Sequence, residues 1–201
     1  MKLFTTLTIA LAMVVPGLAD SLTPDERNRA MSELHASRKG FLDSVAGLSE
    51  AQWNFKPDAE VWSIAECAEH IAVSEDKMFE LIGKMMKSPA DPSKKQEAQG
   101  KDEIVLKAVP DRSQKFKAPE MLVPTHRWPT QTGLIDHFKE SRDRTIAYIR
   151  DTPEDLRSHF LPHPVLKTLD AYQWVLLISA HTQRHTAQLN EVKTNPNFPK
   201  N

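Results

Sequence analysis

WVLLISAHTQRH, residues 174–185, joins an apolar run to two histidines that stand four positions apart. Side chains four residues apart on a helix project from the same face, one turn above the other. His181 and His185 therefore offer two ligands to a single transition-metal ion, which needs a third ligand from elsewhere. Because the apolar run precedes the pair directly, the histidines continue a stripe that faces the core.

Four long segments of the chain carry helical periodicity. Ser63 and Glu66 have the spacing of a capping box, and Thr23 followed by Pro24 is typical of a helix start. No segment shows the alternating pattern of a convincing strand. The sequence therefore predicts an all-α four-helix bundle. Its helices cover residues 24 to about 47, 63 to about 87, 131–151, and 168 or 170 to about 193.

The connections differ in length, and the one between the second and third helices is long. Residues 88–95 read as a polar, proline-bearing linker, residues 101–108 could resume a helical turn, and residues 109–130 contain four prolines and should form a loop. Further short features are a capped turn at 48–53, a helical turn at 152–155 and a loop at 162–164. On the third helix we expect Leu134, Phe138 and Ile149 to face inward and Asp136, Lys139, Arg142 and Arg144 to face mostly outward.

The first residues resemble an export signal. Lys2 supplies the charge, residues 3–15 the short apolar region, and residues 16–19 a small-residue cleavage site. We predict that residues 1–19 are removed and that residues 20–201 form one domain. The expected location is the periplasm or the outside of the cell, with no membrane span left after cleavage. An uncleaved anchor and a leaderless cytosolic protein are the alternatives.

Charge and cysteine content narrow the classes of partner. Without residues 1–19 the chain has 25 basic and 27 acidic residues, a near-neutral balance that argues against a nucleic-acid partner. Cys67 is the only cysteine, so no internal disulfide can form. We expect an unknown small-molecule substrate as the partner. Whether the chain forms a homodimer stays open.

The third ligand should come from the second helix. A bundle brings the middle of one helix near the middle of another, and His70 is the natural candidate there. Three neutral imidazoles leave a coordination position open, which is typical of catalytic rather than structural metal sites. The alternative is three partly buried histidines that are hydrogen-bonded in a polar layer of the bundle.

Two segments carry a resemblance to a known family. WSIAECAEH, residues 62–70, and HTQRHTAQ, residues 181–188, are similar to the two signature segments of DinB-like proteins, and the resemblance extends over residues 24–193. It implies a four-helix bundle in which His70, His181 and His185 form a metal triad. The metals of the family include zinc, nickel and other divalent ions, and zinc or nickel is the cofactor expected here.

The resemblance implies several activities. DinB-like proteins include thiol-dependent transferases and isomerases as well as proteins described as metal-dependent hydrolases. Because cytosolic thiol cosubstrates are absent outside the cytoplasm, the export signal favours hydrolysis. A metal-dependent thiol transferase and a non-catalytic metal-binding or sensing module remain the alternatives. No glutamate follows a ligand as in H-E-x-x-H, so the sequence names no general base.

Several flanking residues are candidates for supporting roles. Glu69 and Gln188 could orient imidazoles or be ordinary polar residues, and Arg184 could hold an anionic group or form an ion pair with a neighbouring helix. His126 could approach the site from the loop as a lid residue. Cys67 could be a thiolate ligand, although a buried apolar role fits better, and Trp62 and Trp174 could line a pocket or pack in the core.

Overall fold

The computed structural model of the protein describes residues 21–200, so the signal peptide predicted at residues 1–19 lies outside the described residues. In chain order the helices are α1 (Pro24–Val45), α2 (Glu50–Trp53), α3 (Ile64–Met86), α4 (Lys95–Ala98), α5 (Lys101–Ala108), α6 (Gln131–Asp151) and α7 (Ala171–Lys193). Two strands, β1 (Phe160–His163) and β2 (Lys167–Asp170), precede α7, and single 3-10 turns lie at Pro92–Lys94 and Glu120–Leu122.

The four long helices form a bundle, which confirms the predicted fold class. α7 packs along α1 and α3, and α6 packs against the same two helices. These contacts place α6 and α7 at opposite corners, while α5 covers α7 from outside. Within residues 21–200 no helix is both long and apolar enough to span a bilayer.

Side-chain caps begin the long helices where the sequence predicts them. The hydroxyls of Thr23 and Ser63 each accept from the backbone N–H of a glutamate three residues on, and that glutamate's carboxylate binds back to the cap. Asp170 caps α7 in the same reciprocal way with Gln173. Of the two predicted starts, Thr168 and Asp170, the second is therefore the residue that begins the last helix, directly after β2.

Two local predictions are wrong, and a third is incomplete. The loop predicted around residues 162–164 is an antiparallel hairpin, in register from Phe160 opposite Asp170 to His163 opposite Lys167. Prolines inside a short run argue against a strand, but a two-stranded hairpin leaves edges on which a missing N–H is tolerated. Residues 152–155 form a hydrogen-bonded turn without a helix, and the linker at 88–95 contains a 3-10 turn that leads into α4.

A polar layer crosses the bundle, and it corrects the prediction that Arg142 faces outward. Arg142 is fully buried, and its guanidinium binds both oxygens of Glu75 at 2.5 and 2.8 Å. It also donates to the hydroxyls of Ser37 and Thr182 and to the carbonyl of Leu34. Helical periodicity gives Arg142 an inward position between Phe138 and Ile149, and burial is tolerated because all of its donors find acceptors.

The polar layer divides the core in two. One apolar cluster surrounds Tyr172 and Leu176 at the hairpin end, and the other surrounds Phe41, Cys67 and Phe138. Each long helix contributes to both clusters and supplies at least one polar residue between them. His70 and His185 lie beyond this layer, on the side of the second cluster, whereas His181 directly precedes Thr182 of the layer.

Candidate metal centre

The structure brings the three predicted ligands together where α3 faces α7. The ring centroid of His70 lies 5.0 Å from that of His181 and 4.3 Å from that of His185, and the two α7 rings are 4.4 Å apart. One ring nitrogen from each residue lies within 4.8 Å of the other two. Within residues 21–200 no other group of three histidine, cysteine or acidic residues has this geometry. The cluster could hold a metal ion.

Two of the imidazoles have their tautomer set by a neighbouring oxygen. His70 Nδ1 lies 2.8 Å from the backbone carbonyl oxygen of Leu122, and His185 Nδ1 lies 2.8 Å from Oε1 of Gln188. Because a carbonyl oxygen only accepts hydrogen bonds, Nδ1 carries the proton in both rings. Nε2 is then left with a free lone pair, the form in which a histidine binds a metal ion.

The imidazole of His181 points at that of His70. Nε2 of His181 lies 3.3 Å from Nε2 of His70, and His181 Nδ1 is buried without a hydrogen-bond partner in the described chain. Two nitrogens bound to one tetrahedral zinc ion at the usual bond length are separated by about 3.3 Å. The spacing of the two Nε2 atoms therefore fits two ligands of a single ion.

Burial keeps all three imidazoles neutral. It lowers the pKa of His70, lowers that of His181 well below the ordinary histidine value, and lowers that of His185 to about 3. The neighbouring imidazoles and the Arg184 guanidinium depress the pKa values of the two α7 histidines further. At neutral pH the cluster thus presents unprotonated nitrogens, and a divalent cation would meet no positive imidazolium there.

One side of the cluster faces solvent. His70 is buried, whereas His181 and His185 are half-buried. The half-buried ring of Trp62 lies against this side, with its centroid 4.9 Å from that of His70 and 6.4 Å from that of His185. Trp62 therefore contributes to the wall of the site, whereas Trp174 is buried and donates to the Leu161 carbonyl near the hairpin.

Glu69 holds the long loop, and the hypothesis that it orients an imidazole is wrong. Its buried carboxylate accepts from the backbone N–H groups of Thr125 and His126 at 2.7 and 2.8 Å and from Arg127 at 2.7 Å. These bonds fasten residues 125–127 to α3 next to His70. Glu69 therefore acts on the loop that also supplies the Leu122 carbonyl.

Arg184 is a second anchor of the same loop, and within residues 21–200 it forms no ion pair with a neighbouring helix. Its guanidinium donates to the backbone carbonyls of Val109, at 3.1 Å, and of Asp111 and Gln114. From its position between His181 and His185 on α7, this side chain is thus directed to the loop. Its fixed charge still acts on both histidines of α7.

His126 and Cys67 lie outside the cluster. His126 is exposed, has a positive φ of 60°, and contacts Glu69 through its backbone, so the structure gives no support to the lid hypothesis. Cys67 is fully buried in the apolar cluster of Phe41 and Phe138, and burial raises the pKa of its thiol to about 12. A thiol of that pKa stays protonated, which disfavours the thiolate-ligand hypothesis.

Sequence reasoning missed two groups that contact the site. One is the Leu122 carbonyl, which has no signature because every residue has such a group. The other is Arg112, which donates to the Gln188 amide oxygen at 3.3 Å and pairs with both carboxylate oxygens of Glu191. Only the positions of Gln188 and Glu191, three residues apart on one face of α7, could have suggested that a cation docks there.

Comparisons with known proteins identify the family and find a solved structure of similar fold. A model of the DinB superfamily matches residues 33–189. The uncharacterized protein YuaE of Bacillus subtilis is 31% identical over 163 residues, which cover 81% of this chain and 96% of YuaE. YfiT from Bacillus subtilis, described as a probable metal-dependent hydrolase with an unusual four-helix bundle topology, superposes with a TM-score of 0.62 at 12% identity, over 90% of this chain and 93% of YfiT. The chain belongs to the DinB superfamily.

Proposed function

We propose that the protein is an exported metal-dependent hydrolase that binds one divalent transition metal, zinc or nickel, through His70, His181 and His185. The observation that carries the proposal is the 3.3 Å separation of the Nε2 atoms of His70 and His181, with His185 within reach of both. A bound divalent ion would supply Lewis-acid chemistry, lowering the pKa of a water molecule or polarising a carbonyl or phosphoryl oxygen.

The residues of the chain give the site an open character. Three protein ligands would leave a coordination position for water or substrate, and the partial exposure of His181 and His185 supports access to it from solvent. Leu122 and Gln188 hold two of the rings in the ligating tautomer. The Trp62 ring, 4.9 Å from that of His70, forms part of the wall beside the cluster.

No carboxylate of the signature segments is free to act as a base. Glu69 stands next to a ligand, but three N–H donors occupy its oxygens. Glu66 caps α3 and pairs with Lys56. The proposed reaction therefore draws no general base from the carboxylates of these two segments.

Support for hydrolysis comes from two directions. YfiT, which shares the fold, is described as a probable metal-dependent hydrolase. The export signal predicted at residues 1–19 would remove the protein from cytosolic thiol cosubstrates, which a thiol transferase needs. A finding that the native protein is retained in the cytosol would restore the transferase as the better proposal.

The test is metal content. The purified protein should contain close to one equivalent of zinc or nickel by elemental analysis, and a His181→Ala, His185→Ala variant should lose it because a single histidine cannot retain the ion. His35→Ala is the matched control, since His35 is an exposed histidine of α1. Equal metal content in the wild-type protein and the double variant would refute the triad.

A further inference from the structure

The two oxygens that orient histidine rings of the triad differ in their chemistry. The acceptor of His70 is the backbone carbonyl of Leu122, which can only accept a hydrogen bond. The acceptor of His185 is Oε1 of Gln188, 2.8 Å from Nδ1, and it belongs to a side-chain amide with an NH2 group at its other end. Turning this amide by half a turn would present a donor to His185 in place of an acceptor.

The orientation of the Gln188 amide determines the tautomer of His185. A neutral ring nitrogen that faces an N–H donor has to accept, so in the turned arrangement Nδ1 would be unprotonated and Nε2 would carry the proton. A protonated Nε2 has no lone pair to offer to a metal ion. Only the arrangement in which Oε1 faces His185 therefore leaves Nε2 of this ring able to bind an ion.

Arg112 fixes the amide in that orientation. Its Nη1 donates to the same Oε1 atom of Gln188 at 3.3 Å. A guanidinium has donors only, so an amide turned the other way would bring two donor groups together. Within residues 21–200 the NH2 group of Gln188 donates to no acceptor, so no hydrogen bond of its own holds the amide in place.

Glu191 holds the guanidinium of Arg112 in turn. Its two carboxylate oxygens accept from Nε and Nη2 at 2.6 and 2.7 Å, which occupies one edge of the guanidinium and leaves Nη1 for Gln188. Glu191 follows Gln188 by three residues on α7, so both acceptors lie on one face of the helix. The side chain of Arg112 is 16% exposed, so it is largely shielded from water.

We propose that Arg112 is a positioning residue of the metal centre. It holds the Gln188 amide with Oε1 toward His185 and so keeps His185 in the tautomer whose Nε2 is free for the ion. The inference rests on the proposed function, since the tautomer matters for catalysis only if His185 binds a metal. Arg112 acts through Gln188, because within residues 21–200 no hydrogen bond joins it to a histidine of the triad.

The test is the tautomer of His185 in the metal-free protein, read from long-range proton–nitrogen NMR correlations of the imidazoles at neutral pH. Circular dichroism first checks that the metal-free protein is helical. The wild-type ring should carry its proton on Nδ1. Arg112→Met removes the donors and should move about half of the His185 signal to the Nε2–H form, because both amide orientations then compete. Lys115→Met removes another cation of the loop that acts on Glu191 through its charge, and it should leave the His185 signal unchanged.

A second variant separates the positioning role from a general displacement of the loop. Gln188→Glu replaces the amide by a carboxylate, which accepts at both oxygens and cannot present a donor. Arg112→Met in that background should therefore leave His185 in the Nδ1–H form. His70 is the internal control, because its acceptor, Leu122, lies in the same loop as Arg112. The tautomer of His70 should be the same in every variant.

An unchanged His185 tautomer in Arg112→Met, or a wild-type His185 protonated on Nε2, would overturn the positioning role. A simultaneous change at His70, or a change that persists beside Gln188→Glu, would assign the effect to the loop and overturn it as well. If Arg112→Met does not fold, Glu191→Gln loosens the guanidinium and should move the same signal in the same direction. Because these spectra need no metal, they are independent of the proposed function, which falls if the His181→Ala, His185→Ala variant keeps its metal.

Discussion

Replacing Arg142 by methionine should cost about 3–5 kcal/mol of unfolding free energy, the range found when one partner of a buried ion pair is removed. The side chains of Arg142 and Glu75 are 0% and 1% exposed, so water cannot replace the lost contact. All five N–H donors of Arg142 are used, two of them on Glu75. A loss of this size is a large fraction of the stability of an ordinary domain.

The cost should depend on pH. Burial already raises the pKa of Glu75 although Arg142 opposes the shift. Without the guanidinium that pKa rises further in the folded state, while it stays at its ordinary value in the unfolded chain. The folded variant then binds more protons than the unfolded one between these two pKa values. The destabilisation should therefore be smaller at pH 5 than at pH 7.

The assay is urea unfolding followed by far-ultraviolet circular dichroism at both pH values. A Glu75→Leu, Arg142→Met variant removes both charges and should recover most of the lost stability. Arg144→Met is the matched control, because Arg144 is on the same helix but half-exposed and should cost less than about 1 kcal/mol. If Arg142→Met does not fold, Arg142→Lys keeps the charge and tests the five-donor geometry alone.

Two results would refute the reasoning. A cost below about 1 kcal/mol for Arg142→Met would mean that water or a rearranged side chain satisfies Glu75. A double variant no more stable than Arg142→Met would mean that packing volume, and not the unpaired carboxylate, determines the loss.

Three further predictions concern the site and its surroundings. Gln188→Leu removes the acceptor of the His185 Nδ1 proton and should weaken zinc binding about tenfold or more, measured by competition with a chromogenic chelator. Glu69→Ala releases the loop and should speed tryptic cleavage after Arg127, measured by mass spectrometry. Cys67, with a pKa of about 12 and full burial, should not react with a thiol reagent at pH 8 until the protein is unfolded.

These three predictions have internal controls. Gln183→Leu changes a glutamine of the same helix that contacts Glu33 instead of a ligand and should leave zinc affinity unchanged. Glu120→Ala changes an exposed carboxylate of the loop and should not alter cleavage. Unaltered zinc affinity in Gln188→Leu, unaltered proteolysis in Glu69→Ala, or rapid labelling of folded Cys67 would each contradict the corresponding account.

The helices were predictable because their signals are local. The capping pairs Thr23 with Glu26 and Ser63 with Glu66 act within one turn, and the apolar stripes repeat every three to four residues. The third helix was predicted at residues 131–151, its observed bounds. The hairpin was missed because its signals are not local. Strand pairing between residues 160–163 and 167–170 stabilises it, and the two prolines in this segment argue against a strand.

The placement of the triad was also predictable in outline. The i, i+4 spacing of His181 and His185 determines that their side chains share one face of α7, and a bundle brings the helix of His70 within reach. The sequence did not predict the distances between the three imidazoles. It also did not predict that oxygens of Leu122 and Gln188 set the tautomers of His70 and His185. The burial of Arg142 was not predictable for the same reason. Its ion-pair partner, Glu75, lies on another helix, and the sequence near Arg142 does not indicate that partner.

By itself, then, the sequence determined four helices, their starts, the family resemblance and the three histidines that could bind a metal, all of which depend on residue types at short spacing. The tertiary structure alone decided which groups surround those histidines. The long loop before α6 contacts both α3 and α7. It binds Glu69 and Arg184, and it supplies the Leu122 carbonyl that accepts from His70. Backbone carbonyls and N–H groups occur in nearly every residue, so their use at a site follows from the path of the chain and not from its composition.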